Sequence, residues 1–81
     1  MDINRAIAEF DPNSPEQFQA IVRRAIELAD AAQCDIVAQL AQRFDTAKST
    51  IKRWADGVSS PHPLMRPAIV EAIKRFLAEK S

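Results

Sequence analysis

The stretch VAQLAQRFDTAKSTIKRWAD, residues 37–56, contains two short helical patterns and is followed directly by Gly57, the only glycine of the chain. In the first pattern, residues 36–44, apolar side chains recur at intervals of three and four, as on one buried face of a helix. In the second pattern, residues 47–55, two apolar positions are surrounded by cations and small polar residues. The stretch therefore predicts two consecutive helices, the second with its positive charge facing solvent.

Local signals predict where these helices begin and end. Asp35 is suited to be the N-cap of the first helix, because its carboxylate can accept from the unpaired amides of the first turn. The pattern breaks at Asp45 and Thr46, since aspartate enters the left-handed region readily and threonine can cap the next helix. Gly57 suits the left-handed position beyond a helix end. Together the signals predict a helix-turn-helix over residues 36–57.

This segment resembles the helix-turn-helix of the phage Cro/C1 repressor class, the XRE family. The class pattern has a small residue, then glycine, an aliphatic residue and another apolar residue at offsets of four, ten and thirteen. Those positions are occupied here by Ala41, Asp45, Ile51 and Trp54. The resemblance covers residues 36–63 well, and the rest of the chain only in general architecture.

Two features depart from the class pattern. Asp45 replaces the turn glycine, which is tolerable because aspartate enters the left-handed region more easily than most residues. Ile36 and Val37 stand at the head of the first helix, where many relatives place a polar residue on a DNA phosphate. The negative charge of Asp35 lies beside them, so phosphate anchoring by this helix end is not expected.

The resemblance implies an all-α fold, a compact four- to five-helix lambda-repressor-like domain containing the helix-turn-helix. Upstream, Ser14 and Pro15 have the residue types of an N-cap and a first helical position, and Gln17 is suited to complete a capping box. A last helix is predicted to open at Arg66. We expect residues 1–81 to form a single helix-turn-helix domain.

The second helix of the motif is the element that the resemblance places in the major groove of double-stranded DNA. Lysine and arginine can donate to guanine O6 and N7, and an alanine methyl can pack on the methyl of thymine. Base contacts are predicted for Ala47, Lys48, Ser49 and Arg53. Phosphate contacts, which set the register on the duplex, are predicted for Arg43, Thr50, Lys52, Ser59 and Ser60.

The length of the chain favours a homodimer, because 81 residues are only marginally able to bury enough apolar surface alone. Two copies would place their second helices one turn of DNA apart, roughly 34 Å, and would read an inverted-repeat operator. The implied function is sequence-specific regulation of transcription.

Charge is distributed unevenly although the formal net charge is zero. Residues 1–35 hold seven acidic and three basic side chains, and residues 36–81 hold four acidic and eight basic ones. The positive half contains the predicted DNA-reading helix. Such an arrangement can attract phosphates locally while the acidic half limits indiscriminate binding.

Composition argues against several other classes of protein. Cys34 is the only cysteine and His62 the only histidine, so neither a multi-cysteine metal site nor a usual catalytic triad can be assembled. We expect no enzymatic activity, no metal or other cofactor and no small-molecule substrate. The chain has no apolar run long enough to span a membrane and no signal-peptide charge pattern, so a cytoplasmic location is expected.

Two other functions stay open from the sequence. The same fold can bind a protein instead of DNA, for example as an antiactivator that sequesters a transcription factor. Zero net charge, the acidic first half, a loop without lysine after Gly57 and the wide apolar stripe of the last helix favour that alternative. A toxin-antitoxin partner is a further possibility, although the chain has no tail of the disordered, toxin-wrapping kind.

Overall fold

Helices form the regular secondary structure in a computed structural model of the protein, which describes residues 2–80. Within that range no strand occurs, which confirms the predicted all-α class. Both helices predicted within residues 36–57 are present. The five described helices are α1 (Ile3–Ala8), α2 (Pro15–Ala31), α3 (Ile36–Arg43), α4 (Lys48–Asp56) and α5 (Arg66–Lys80).

Side-chain caps begin α2 and α3 as predicted. The Ser14 hydroxyl accepts from the Gln17 amide at 3.2 Å, and the Asp35 carboxylate accepts from the Ala38 amide at 3.0 Å. The predicted reciprocal half of the capping box at Ser14 is wrong. The Gln17 side chain instead accepts from the backbone amide of Asp11 at 2.7 Å, because the chain preceding α2 folds back within its reach.

The α3–α4 turn explains why α4 begins one residue later than predicted. The amide of Thr46 donates to the Ala41 carbonyl at 2.9 Å, so this residue completes the end of α3 and does not cap α4. Ala47 is the N-cap residue, with extended φ and ψ of −78° and 149° and no side-chain capping bond. The predicted cap by Thr46 is therefore wrong, and α4 starts without a side-chain cap.

Helices α2, α3 and α4 share one type of ending. In each, a residue with positive φ follows the helix, and the next amide reaches back to a carbonyl five residues earlier, as in the Schellman motif. The left-handed residues are Asp45 (φ 51°) and Gly57 (φ 76°), both predicted, and Gln33 (φ 59°), which was not. These compact endings leave only short connections from α2 to α3 and from α3 to α4.

The core lies around α2, which packs against each of the other four helices. Phe18 joins the aromatic rings of the core, with its ring centroid 6.4 Å from Phe10 and 5.9 Å from Trp54. Most of the apolar stripe predicted on α5 is used inside the chain. Of the predicted stripe, Ile69, Ala72 and Ile73 are buried, Phe76 and Leu77 pack partly buried against the core, and Ala68 is exposed. Val70, predicted to lie beside the stripe, is also buried.

Arg66 is the one charged residue buried among the described residues, with 7% of its surface exposed. Its Nη1 donates to the Pro12 carbonyl at 2.8 Å, and its Nε and Nη2 donate to the Ser60 hydroxyl at 3.2 and 3.0 Å. The side chain thus ties the segment before α2 to the loop after α4. It does not contribute to an exposed basic surface, contrary to its place in the positive half of the sequence.

Candidate nucleic-acid interface

Helix α4 has a buried face and an exposed, polar face. Ile51 is fully buried, and Trp54 and Ala55 are 8% and 7% exposed. The exposed residues of α4 recur at intervals of three and four positions, so they form one continuous stripe along the helix. That stripe consists of Lys48, Ser49, Lys52, Arg53 and Asp56.

The orientation of α4 is fixed by its packing on α2 and α3. The ring of Trp54 lies edge-on to Phe18, with an angle of 68° between the planes. Near the end of α4, the Gln19 side-chain amide donates to the Ala55 carbonyl at 3.3 Å. Trp54 and Ala55 both lie in the last turn of α4, and the buried Ile51 lies nearer its middle. These contacts hold the exposed stripe at a defined angle to the rest of the molecule.

The predicted base-contact residues lie together on this stripe or at its start. Ala47, Lys48, Ser49 and Arg53 are all exposed. Because no side chain caps α4, the positive end of the helix is open to an approaching acceptor. The first two turns can therefore present a methyl group, a hydroxyl and two cations to the edges of base pairs.

Lys48 has a neighbour that the sequence did not predict. Its Nζ lies 3.7 Å from Oδ2 of Asp35, and both side chains are more than half exposed, at 61% and 62%. The other carboxylate oxygen of Asp35 accepts from the Ala38 amide. The starts of α3 and α4 thus meet around one acidic side chain, a contact between residues thirteen positions apart that no local pattern indicates.

Of the predicted phosphate contacts, Lys52 has the setting that suits the role best. It is exposed and lines a surface groove of about 300 Å³ between α2 and α4. Arg23 of α2 lines the same groove, and so do Glu27 and Asp56. The groove thus brings Arg23 of α2 close to Lys52 of the exposed stripe. Thr50, another predicted phosphate contact, is half-buried.

Arg43 lies in a different place. It lines a groove of about 380 Å³ between α3 and α5, together with Gln39, Arg75 and Glu79. None of the other predicted contact residues lines that groove. Arg43 and Lys52 thus line different grooves.

The two predicted serines line a hollow beside the first turn of α2 and the end of α4. Ser59 is exposed there, with no described hydrogen bond from its hydroxyl. The hydroxyl of Ser60 accepts from Arg66, so it retains its own proton to donate to a phosphate. Nothing in the sequence distinguishes Arg66 from an ordinary solvated cation at a helix start, which is why this partner was missed.

Cys34 and His62, the single cysteine and histidine, lie apart from the exposed stripe in sequence and have local contacts. The Sγ of Cys34, which is half-buried, lies 3.5 Å from the Ala32 carbonyl, and Nδ1 of His62 accepts from the Leu64 amide at 3.1 Å. Over residues 2–80, no group of three or more histidine, cysteine, aspartate or glutamate side chains is arranged to hold a metal ion. None of the described helices is both long enough and apolar enough to cross a bilayer.

Comparison with known proteins adds no relative to this picture. No protein-family model matches the chain, and no curated protein or solved structure is significantly similar to it.

Proposed function

We propose that the protein is a sequence-specific DNA-binding regulator that lays α4 in the major groove of double-stranded DNA. The observation that carries the proposal is the exposed stripe of α4, in which three cations and a serine lie opposite a fully packed face. A helix of this kind fits the major groove, and its polar face reads the bases.

Within this proposal, Arg53 and Lys48 donate to guanine acceptors, Arg53 in bidentate fashion. Ser49 donates to or accepts from a base edge, and the exposed methyl of Ala47 meets a thymine methyl. Buried Ile51 and Trp54 contact no DNA and hold the helix at its angle.

Contacts to the DNA phosphates would come from residues of the groove between α2 and α4. Lys52 and Arg23, which share that groove, would pair with phosphates on one side of the major groove. Ser59, Ser60 and Thr50 are further candidates for hydroxyl contacts. Arg43 is a weaker candidate, because it lies in the groove between α3 and α5.

The resemblance of residues 36–63 to the Cro/C1 repressor class supports the same function and suggests a homodimer on an inverted repeat. Asp45 has a positive φ in the turn where the class has glycine, which is compatible with that class. In a dimer, the two copies of α4 would be separated by roughly 34 Å.

The decisive experiment is a titration of the protein against labelled duplex from its own upstream region and against random duplex, each at two salt concentrations. A reader of sequence prefers one duplex and loses affinity as salt rises. Arg53→Ala should reduce binding to the preferred duplex, and Arg5→Ala removes a matched exposed cation from α1, which does not contact α4. Absence of binding to both duplexes at low salt would reject the proposal.

One observation favours the alternative of a protein-binding module. The large apolar residues that are most exposed lie in the loop between α4 and α5, where Val58 is 75%, Leu64 82% and Met65 43% exposed. The apolar surplus expected on the last helix is therefore found mainly in the loop before it. A protein-binding module would be indifferent to Arg53→Ala and would lose its partner when Leu64 is replaced by serine.

A further inference from the structure

The ion pair at the start of α4 places a negative charge at the edge of the surface proposed to face DNA. Asp35 has one carboxylate oxygen bonded to the Ala38 amide at 3.0 Å and the other 3.7 Å from the Lys48 ammonium. Its position is therefore set by two partners, one in α3 and one in α4. An exposed pair of this kind adds little to stability. We therefore expect its main effect on the binding of charged groups, such as phosphates, to this surface.

The residues around the ion pair make the position of the Lys48 side chain dependent on Asp35. Lys48 is the first residue of α4 and Lys52 lies one turn further along the same exposed stripe. The only carboxylate within ion-pair distance of Lys48 among the described residues is that of Asp35. Without this partner the flexible lysine side chain would be free to turn to the nearest phosphate, as lysine acts as a mobile point charge.

We propose that Asp35 is a specificity-determining residue of the DNA interface, an inference that rests on the DNA-binding function proposed above. Its carboxylate keeps the Lys48 ammonium over the first turn of α4, where it reads bases, and repels phosphates from the start of α3. The contact lowers the affinity for every duplex, and it lowers the affinity for random duplex most, because binding there depends on phosphate contacts alone.

The test is Asp35→Asn. Asparagine is as good an N-cap as aspartate, so the start of α3 is retained while the charge and the ion pair are lost. Affinity for random duplex should rise about fivefold, the Coulomb effect of one unit charge close to a phosphate in water. Affinity for the preferred duplex should rise less, so the ratio between the two falls. The slope of log affinity against log salt on random duplex should steepen by about one phosphate contact.

Asp2→Asn is the matched control. Asp2 is likewise an exposed N-cap aspartate, whose carboxylate accepts from the Asn4 amide at 3.0 Å, and it caps α1, which does not contact α4. An equal gain on random duplex from Asp2→Asn would show a general effect of net charge and overturn the inference. Circular dichroism of both variants establishes that the helices are retained.

The remaining outcomes separate the inference from the function beneath it. If the wild type binds its preferred duplex with salt sensitivity and Asp35→Asn changes neither the ratio nor the slope, the inference alone is overturned. If neither protein binds any duplex at low salt, the proposed function fails and the inference fails with it. In a Lys48→Ala background, Asp35→Asn should lower the ratio less than it does in the wild type, because only the repulsion of phosphates by Asp35 is then removed.

Discussion

The indole of Trp54 lies edge-on to the ring of Phe18, with the two centroids 5.9 Å apart and the planes inclined by 68°. Phe18 lies at the end of the first turn of α2 and Trp54 in the last turn of α4, so the contact joins the central helix to the one with the exposed basic stripe. Both side chains are buried, at 1% and 8% exposure. The orientation of the candidate interface is thus set by the core.

Trp54→Ala should lower the free energy of unfolding by about 3 to 5 kcal/mol, because it removes a large buried ring and leaves a cavity against Phe18. Denaturant unfolding followed by circular dichroism measures the loss, since this chain has no other tryptophan to report by fluorescence. Trp54→Phe, which retains an aromatic edge, should lose less. A loss below about 1 kcal/mol for the alanine variant would contradict the packing described.

Gly57 is required for two reasons that a double-mutant cycle can separate. Its φ is 76°, and a Cβ built there would lie 2.8 Å from Nε2 of Gln19. We expect Gly57→Ala to destabilise by about 1 to 2 kcal/mol from the left-handed backbone, with an added cost from the contact. In a Gln19→Ala background the added cost should disappear while the backbone cost persists. Equal costs in both backgrounds would show that the contact is relieved without strain.

The buried guanidinium of Arg66 connects two segments that have no other described side-chain bond between them. Lysine cannot reach both Ser60 and the Pro12 carbonyl, so Arg66→Lys should cost roughly 1.5 to 3 kcal/mol. Ser60→Ala removes one of the same partners, and the double variant should therefore lose less than the sum of the two single losses. Strict additivity in urea unfolding would argue against the Arg66–Ser60 contact.

The parts of this fold that sequence reasoning predicted are those with a local cause. The N-cap at Asp35, the left-handed residues Asp45 and Gly57, and the buried pair Ile51 and Trp54 each follow from neighbours within a few positions. The exposed members of the predicted base-contact set follow from the same periodicity. Helix period and helix ends were therefore readable without knowledge of the tertiary structure.

The missed features all depend on segments distant in sequence. The burial of Arg66 depends on Pro12, 54 positions away, and the pairing of Lys48 with Asp35 depends on the angle between α3 and α4. Thr46 is not the cap because it belongs to the turn that ends α3 and lies one residue before the N-cap position, which Ala47 occupies. Local propensity states which residues suit a role, and packing decides which of them fills it.

Ala47→Ser should raise the free energy of unfolding by about 1 kcal/mol. Ala47 already has the extended backbone of an N-cap and lacks only an oxygen that accepts from the first turn of α4. Ser14→Ala is the converse control, since it removes such an oxygen from α2 and should lose a similar amount.

The same variant also tests the role proposed for the alanine. If the Ala47 methyl packs on a thymine methyl, serine should weaken binding to the preferred duplex while leaving random duplex nearly unaffected, so that stability and specificity change in opposite directions. Thermal unfolding and duplex titration of one preparation measure both. A variant that is more stable and equally selective would remove Ala47 from the base-reading set, while a variant that is no more stable would show that the first turn of α4 does not accept a side-chain cap.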